Sequence, residues 1–214
     1  MRGLEAHHEQ PLAGFEAINR YWDQRRNQVV AKILPGEFYV SLQDEMIATT
    51  LGSCVSACIW DDINHVGGMN HFMLPETEQQ AHQVTWGNIP SQATRYGNHA
   101  MEHLINSILK AGGKRAHLKA KIFGGGKVLN QCVDVGSRNA DFVVKYLHDE
   151  NIPILAEDLY GDYARKVLFS PISGQAFLRK LYSFNNNTLA QREQRYGMKL
   201  KTERLEGQVE LFND

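Results

Sequence analysis

Cysteine is scarce in this chain, with only Cys54, Cys58 and Cys132 among 214 residues. The count is odd and no Cys-x-x-Cys pair occurs. That excludes a disulfide scaffold and fits a reducing cytoplasm. Long apolar runs are also missing; none reaches the length that a membrane span needs. The opening residues Met1-Arg2-Gly3-Leu4-Glu5-Ala6-His7-His8 carry no apolar core of a leader, so no secretory signal is expected. An excess of either charge is missing too. The formal net charge is -1, without the basic footprint of a nucleic-acid binder. Hydrophobic residues make up 43%, slightly few for a wholly compact chain, which points to polar extensions.

The length suits one domain with tails. Residues 1–32 read as a polar N-terminal extension with a helix over Phe15 to Arg26. The core domain is expected over 33–185, and 186–214 read as a polar C-terminal tail after Asn185-Asn186-Asn187. Gln79 to Pro90 reads as a loop carrying Trp86. Tyr96 to Ala111 predicts a helix, because Met101, Leu104, Ile105, Ile108 and Leu109 share one face and Gly112-Gly113 ends it. Arg138 to Glu150 predicts a second. Leu118 to Ile122, Ile152 to Ala156, Arg165 to Phe169 and Gln175 to Leu181 read as strands, the last two joined by a turn at Ser173-Gly174. Strands outnumber helices and short polar turns link most of them. This predicts an α+β fold of layered mixed sheets flanked by helices rather than a doubly wound parallel sheet.

Against this background one thiol stands out. Cys54 follows Gly52-Ser53, a pair that allows a tight bend exposing the side chain, and His71 lies seventeen residues on. Val55-Ser56-Ala57-Cys58-Ile59-Trp60 and Val66 to Leu74 read as the two strands of a hairpin around Asp61-Asp62-Ile63-Asn64-His65. A tight turn at Asp62-Ile63 sets Cys54 directly opposite His71, with Cβ atoms roughly 4.5–5.5 Å apart. A thiol beside an imidazole is the pair that a cysteine nucleophile and its base require. The ordinary role of a lone cysteine is that of a small buried hydrophobe; Cys58 and Cys132 are assigned that role. A threonine hydroxyl at Thr49 or Thr50 could orient the imidazole, or both could be plain strand residues.

Two rival readings need weighing. Zinc held by Cys54, Cys58, His65 and His71 conflicts with a strand, where residues four apart are separated by roughly 13 Å. Two thiolates on one zinc lie within about 4.6 Å of each other. No metal and no cofactor is therefore expected. His99 and His103, one helical turn apart, read as surface positions. Phe123-Gly124-Gly125-Gly126-Lys127 superficially resembles a phosphate loop but lacks the spacing and the Gly-Lys-Ser/Thr ending. Its glycines are better explained by close approach to another segment.

At these residues the sequence resembles the chemoreceptor glutamine deamidase family, CheD. The matching segments are Leu34-Pro35-Gly36-Glu37-Phe38-Tyr39-Val40, Leu51-Gly52-Ser53-Cys54-Val55, Gly67-Gly68-Met69-Asn70-His71-Phe72-Met73-Leu74-Pro75, Tyr96-Gly97, Ala120-Lys121-Ile122-Phe123-Gly124-Gly125, Gly136-Ser137-Arg138-Asn139 and Arg165-Lys166-Val167. The resemblance implies a Cys-His-Thr triad on a fold similar to bacterial toxin deamidases, with Cys54 as nucleophile and His71 as base. Some members place the threonine six residues before the cysteine, where Ala48 stands here; Thr49 is the nearest hydroxyl and takes the orienting role. Asp158 to Arg165 departs from the family's more glycine-rich form. The implied substrates are glutamines of methyl-accepting chemotaxis receptors, hydrolysed to glutamate in the cytoplasm through a thioester. A CheC-type phosphatase is a further implied partner, and nucleic-acid binding and membrane insertion are not expected. The alternative is a catalytically weak regulator that acts by binding. A papain-like protease fits less well, because its Cys and His come from distant segments.

Overall fold

The computed structural model describes residues 10–75, 92–128, 134–182 and 187–202. The expected Trp86 loop and Cys132 lie outside the described residues. In chain order come β1 (Asn19–Asp23), β2 (Gln28–Lys32), β3 (Phe38–Ser41), β4 (Met46–Leu51), β5 (Val55–Asp61) and β6 (Val66–Asn70). They are followed by α1 (Gln92–Lys110), β7 (Lys119–Gly124), α2 (Val135–Asp149), β8 (Ile154–Leu159), β9 (Ala164–Phe169), β10 (Ala176–Leu181) and α3 (Asn187–Thr202).

The described residues form two five-stranded sheets, one ordered β1-β2-β4-β9-β10 and the other β3-β6-β5-β7-β8. Each is mixed, with a single parallel pair: β2 with β4 in the first, β7 with β8 in the second. α2 makes the crossover that a parallel β7–β8 pair demands. The fold is α+β with layered mixed sheets flanked by helices, in line with the turn-rich, strand-heavy sequence.

The middle of the second sheet, β5 with β6, is buried on both faces, and β5 sorts its side chains accordingly. Val55, Ala57 and Ile59 join Met101, Leu104, Ile105 and Val143 in the helix-facing core. Cys54, Cys58 and Trp60 turn the other way, onto Ile47, Leu51, Val167 and Phe169 of the first sheet. This double burial is why Val55 to Trp60 reads as an apolar run interrupted only by Ser56, whose hydroxyl is hydrogen-bonded to the Asn70 carbonyl. α1 ends where expected. The Gly113 N–H reaches the Ile108 carbonyl and Gly112, at φ +102, turns the chain. α2 starts on Asp134, whose carboxylate accepts the Ser137 N–H.

The N-terminal segment differs from the helix expected there. Phe15 to Arg26 contributes strand β1, paired antiparallel with β2, and β2 runs beside β4 with Val30 and Ala31 fully buried. The turn between them is fixed locally: the Asp23 carboxylate accepts the Arg25 N–H and Asn27 takes φ +52. Polar composition hid these strands, because β1 is the sheet's outermost strand and Tyr21 and Trp22 stay partly exposed. At the other end, Asn187–Thr202 forms a helix with Leu189, Glu193 and Leu200 buried along one stripe.

Candidate active site

The β5–β6 hairpin is real, but its register is two residues from the tight-turn expectation. Cys58 opposes Met69 and Asp61 opposes Val66, so four residues make the turn. The Asp61 carboxylate causes the longer loop by accepting the N–H groups of Ile63 and Asn64, and His65 takes φ +52 to close it. In this register Val55 bridges Phe72. Cys54 and His71 are therefore diagonal rather than directly opposed. A shift of two leaves both on one face, since side chains alternate with period two.

Cys54 sits in the bend Gly52-Ser53-Cys54 between β4 and β5. All three carbonyls of the bend are tied to neighbouring segments. Gly126 N–H donates to Gly52 O at 2.7 Å and Gly125 N–H to Cys54 O at 2.8 Å. The Asn139 amide donates to Ser53 O at 2.8 Å, while its oxygen accepts the Leu74 N–H at 2.9 Å. Asn139 is fully buried and so clamps the cysteine bend to the histidine segment. The glycine run thus serves close approach: a Cβ on Gly124 would lie 2.2 Å from the Cys54 carbonyl oxygen.

His71 is held through backbone and ring. Its N–H donates to Glu37 O and its carbonyl accepts from Gly36 N–H. Nδ1 lies 2.7 Å from Thr49 Oγ1, and the same hydroxyl lies 2.9 Å from the Ile33 carbonyl. These two contacts fix the tautomer. A carbonyl can only accept, so the one hydroxyl proton of Thr49 goes to Ile33 O. Nδ1 must then carry a proton and donate it to Thr49 Oγ1. Nε2 is left with a lone pair, and it is buried without a hydrogen-bond partner among the described residues. The alternation of β4 selects this threonine. Thr49 lies between Ile47 and Leu51, which face the second sheet, whereas Ala48 packs with Val30, Met46 and Leu168 on the opposite side.

Sequence reasoning missed Glu193 of α3. Its carboxylate is fully buried and accepts four donors: Gly52 N–H at 2.7 Å, Ser53 N–H at 2.8 Å, Ser53 Oγ at 2.7 Å and Cys54 N–H at 3.3 Å. One ligand atom each from Cys54, His71 and Glu193 lie within 4.8 Å of one another. Nothing in the polar stretch Gln191-Arg192-Glu193-Gln194 distinguishes this glutamate from its exposed neighbours. Gly52 alone hints at it, since a Cβ there would sit 2.8 Å from Glu193 Oε2 and 2.4 Å from Val128.

The trio is the one cluster with metal-binding spacing among the described residues. It suits a metal poorly. A carboxylate offers about four lone-pair sites, and each Glu193 oxygen already accepts two protein donors. Cys58 and His65 do not join the cluster. The His99 and His103 rings lie 4.1 Å apart at a tilt of 58° on α1, without a third ligand among the described residues.

Electrostatics keep the thiol and the imidazole neutral. Burial, then the Glu193 carboxylate, pushes the Cys54 thiol well above its ordinary value. Burial pulls His71 down to about 3. Cys54 is 0% and His71 1% exposed. No helix among the described residues is long and apolar enough to cross a membrane.

Fold and site together define an α+β protein with a thiol next to an imidazole, beneath a bend whose amides converge on an anion. Comparison with known proteins narrows this. A family model described as CheD chemotactic sensory transduction matches residues 73–180. A protein of Methylobacillus flagellatus called probable chemoreceptor glutamine deamidase CheD is 50% identical over 204 residues, covering 94% of this chain and 98% of that one. Proteins of the same name from Hahella chejuensis and Halorhodospira halophila are 45% and 50% identical, each covering 94% of this chain and 93% of its own length. The chain belongs to the CheD family. Among solved structures, the Bacillus licheniformis hypothetical protein YfiH aligns at TM-score 0.36 with 13% identity, over 56% of this chain and 49% of its own.

Proposed function

We propose that this chain is a cytoplasmic protein-glutamine deamidase acting on methyl-accepting chemotaxis receptors, with Cys54 as nucleophile, His71 as base and Thr49 as the group that orients the base. The observation that carries the reading is the state of His71. Its Nδ1–H is committed to Thr49, its Nε2 has no hydrogen-bond partner among the described residues, and a nitrogen of the ring lies within 4.8 Å of the Cys54 sulfur. That is the tautomer a general base needs.

The chemistry follows in two halves. His71 Nε2 takes the Cys54 thiol proton, and sulfur attacks the carboxamide carbon of a receptor glutamine. The carbonyl oxygen becomes an oxyanion, and the amides of the Gly52–Cys54 bend stabilise it. His71 returns the proton to the departing nitrogen, the C–N bond breaks, and ammonia leaves a thioester. Water then attacks with His71 taking its proton, the C–S bond breaks, and sulfur recovers the proton. The product is a glutamate on the receptor helix.

Family membership supports this reading, and so do the names given to the relatives. A CheC-type phosphatase is proposed as a second partner, to be tested by co-purification. The decisive experiment incubates the protein with a receptor cytoplasmic fragment and reads glutamine-to-glutamate conversion by mass spectrometry. Conversion is expected with the wild-type chain and none with Cys54→Ala. Equal conversion by a folded Cys54→Ala protein would overturn the nucleophile assignment.

A further inference from the structure

The burial of Glu193 is costly by itself, and its partners show what it stands in for. In α3 it occupies the centre of a stripe otherwise made of Leu189, Tyr196 and Leu200. A carboxylate at such a place is tolerated only when its oxygens are hydrogen-bonded. Here the donors are the amides of Gly52, Ser53 and Cys54, together with the Ser53 hydroxyl. The bend is therefore built to receive an oxygen that carries negative charge, next to the thiol. The side chain it holds is a glutamate presented from a helix, which is the chemical form of the proposed product.

The rest of α3 is docked, not merely adjacent. The Tyr196 hydroxyl is hydrogen-bonded to that of Tyr96, and the Tyr196 ring packs on Gly36, where a Cβ would come within 2.9 Å. Leu200 joins the core between the sheets. Gly197, one turn beyond Glu193, faces the protein at ordinary contact distance; a Cβ there would lie 3.6 Å from Met73 Sδ. The result is a site with no exposed thiol.

We infer that α3 is a tethered product analogue that closes the Cys54 site, and that the receptor helix binds in its place with the target glutamine where Glu193 now lies. The inference rests on the deamidase reading for the identity of the incoming helix, but the closure itself does not. In the closed state the Gly52–Cys54 amides are spent on Glu193 and no carboxamide can reach sulfur. Displacing α3 frees the amides, admits water and removes the negative charge that opposes thiolate formation. Conversion would then begin only when a helix able to compete with α3 arrives.

Two full-length variants test this, Glu193→Ala and Glu193→Gln, each checked for an unchanged fold by circular dichroism. The first readout needs no receptor: the rate of Cys54 alkylation by iodoacetamide, followed on the Cys54 peptide. Glu193→Ala should raise it about tenfold or more, because it removes a set of charge-assisted hydrogen bonds that keep α3 in place. The second readout is the fate of the amide introduced by Glu193→Gln. It should be hydrolysed to the acid in the purified protein, and should persist when Cys54→Ala is added. Equal alkylation rates in all three proteins, alongside normal receptor conversion, would overturn the closure and leave the deamidase reading intact. Persistence of the introduced amide in a protein that converts receptor glutamines would overturn the product-analogue placement. Faster alkylation with no conversion of either the amide or the receptor would uphold the closure and sink the deamidase reading.

Discussion

Replacing Thr49 by valine removes one oxygen and keeps the shape. Two buried groups lose a hydrogen-bond partner by it, the Ile33 carbonyl and the Nδ1–H of His71. Each orphaned buried group costs roughly 1–3 kcal/mol. The folded state should therefore lose about 2 kcal/mol or more, out of a typical total of about 5–15. The catalytic effect has a separate origin. Without Thr49 Oγ1 the imidazole no longer prefers its proton on Nδ1, and a ring protonated at Nε2 cannot take the Cys54 proton. A tautomer preference of about 1.4 kcal/mol is a factor of ten. kcat should accordingly fall about tenfold to a hundredfold, with KM nearly unchanged, since Thr49 does not reach substrate. Thr49→Ser keeps the oxygen and should keep most of the activity. The assay is ammonia release with a receptor fragment, paired with nitrogen chemical shifts of labelled histidine to read the tautomer. A Thr49→Val protein with kcat within twofold of wild type and an unaltered His71 tautomer would falsify the orienting role.

Asn139→Ala should lower both thermal stability and kcat, because it frees the buried Ser53 carbonyl and Leu74 N–H at about 1–3 kcal/mol each and unclamps Cys54 from the His71 segment; activity at the wild-type level would show that the clamp is dispensable. Asp61 gives a pH-dependent effect. Burial raises its pKa, but hydrogen bonds from Lys114, Asn64 and Ile63 outweigh this and hold it well below the usual carboxylate range. With the folded value depressed, its stabilisation is present above the unfolded value of about 3.9 and is lost as pH falls through the folded one. The melting-temperature gap between wild type and Asp61→Asn should be widest near neutrality and shrink on acidification below about pH 4; a gap that grows in acid would reverse the sign of the argument.

The sequence made the pieces of the site visible more clearly than their assembly. Cys54 and His71 were legible from Gly52-Ser53 and from a hairpin pattern, and parity survived a wrong turn length because the error was even. Thr49 and Thr50 could be separated in structure only by the face each takes on β4, where Thr49 lies between Ile47 and Leu51. The Gly124-Gly125-Gly126 run announced a close approach without saying to what. β1 and β2 were hidden by polar side chains on a partly exposed layer, and α3 by a charged outer face. Glu193 carried no local signal, since its partners are backbone amides some 140 residues away along the chain. Interactions of that kind depend on tertiary geometry and leave no periodicity to read.

The placement of β4 has a kinetic consequence. Its neighbours are β2, made shortly before it, and β9, which ends at Phe169. Thr49 therefore cannot settle into its final place until most of the core has been synthesised or has collapsed. Pairings between such distant segments are slow to form, because the loop entropy is lost before the contact is gained. During refolding from denaturant, helical signal from α1 and α2 should return first, and capacity for chemistry should lag behind it. The lag would keep the thiol without a competent base while the chain is still open to unwanted acceptors. Activity recovering in step with the helical signal would argue that β4 and β9 meet early instead.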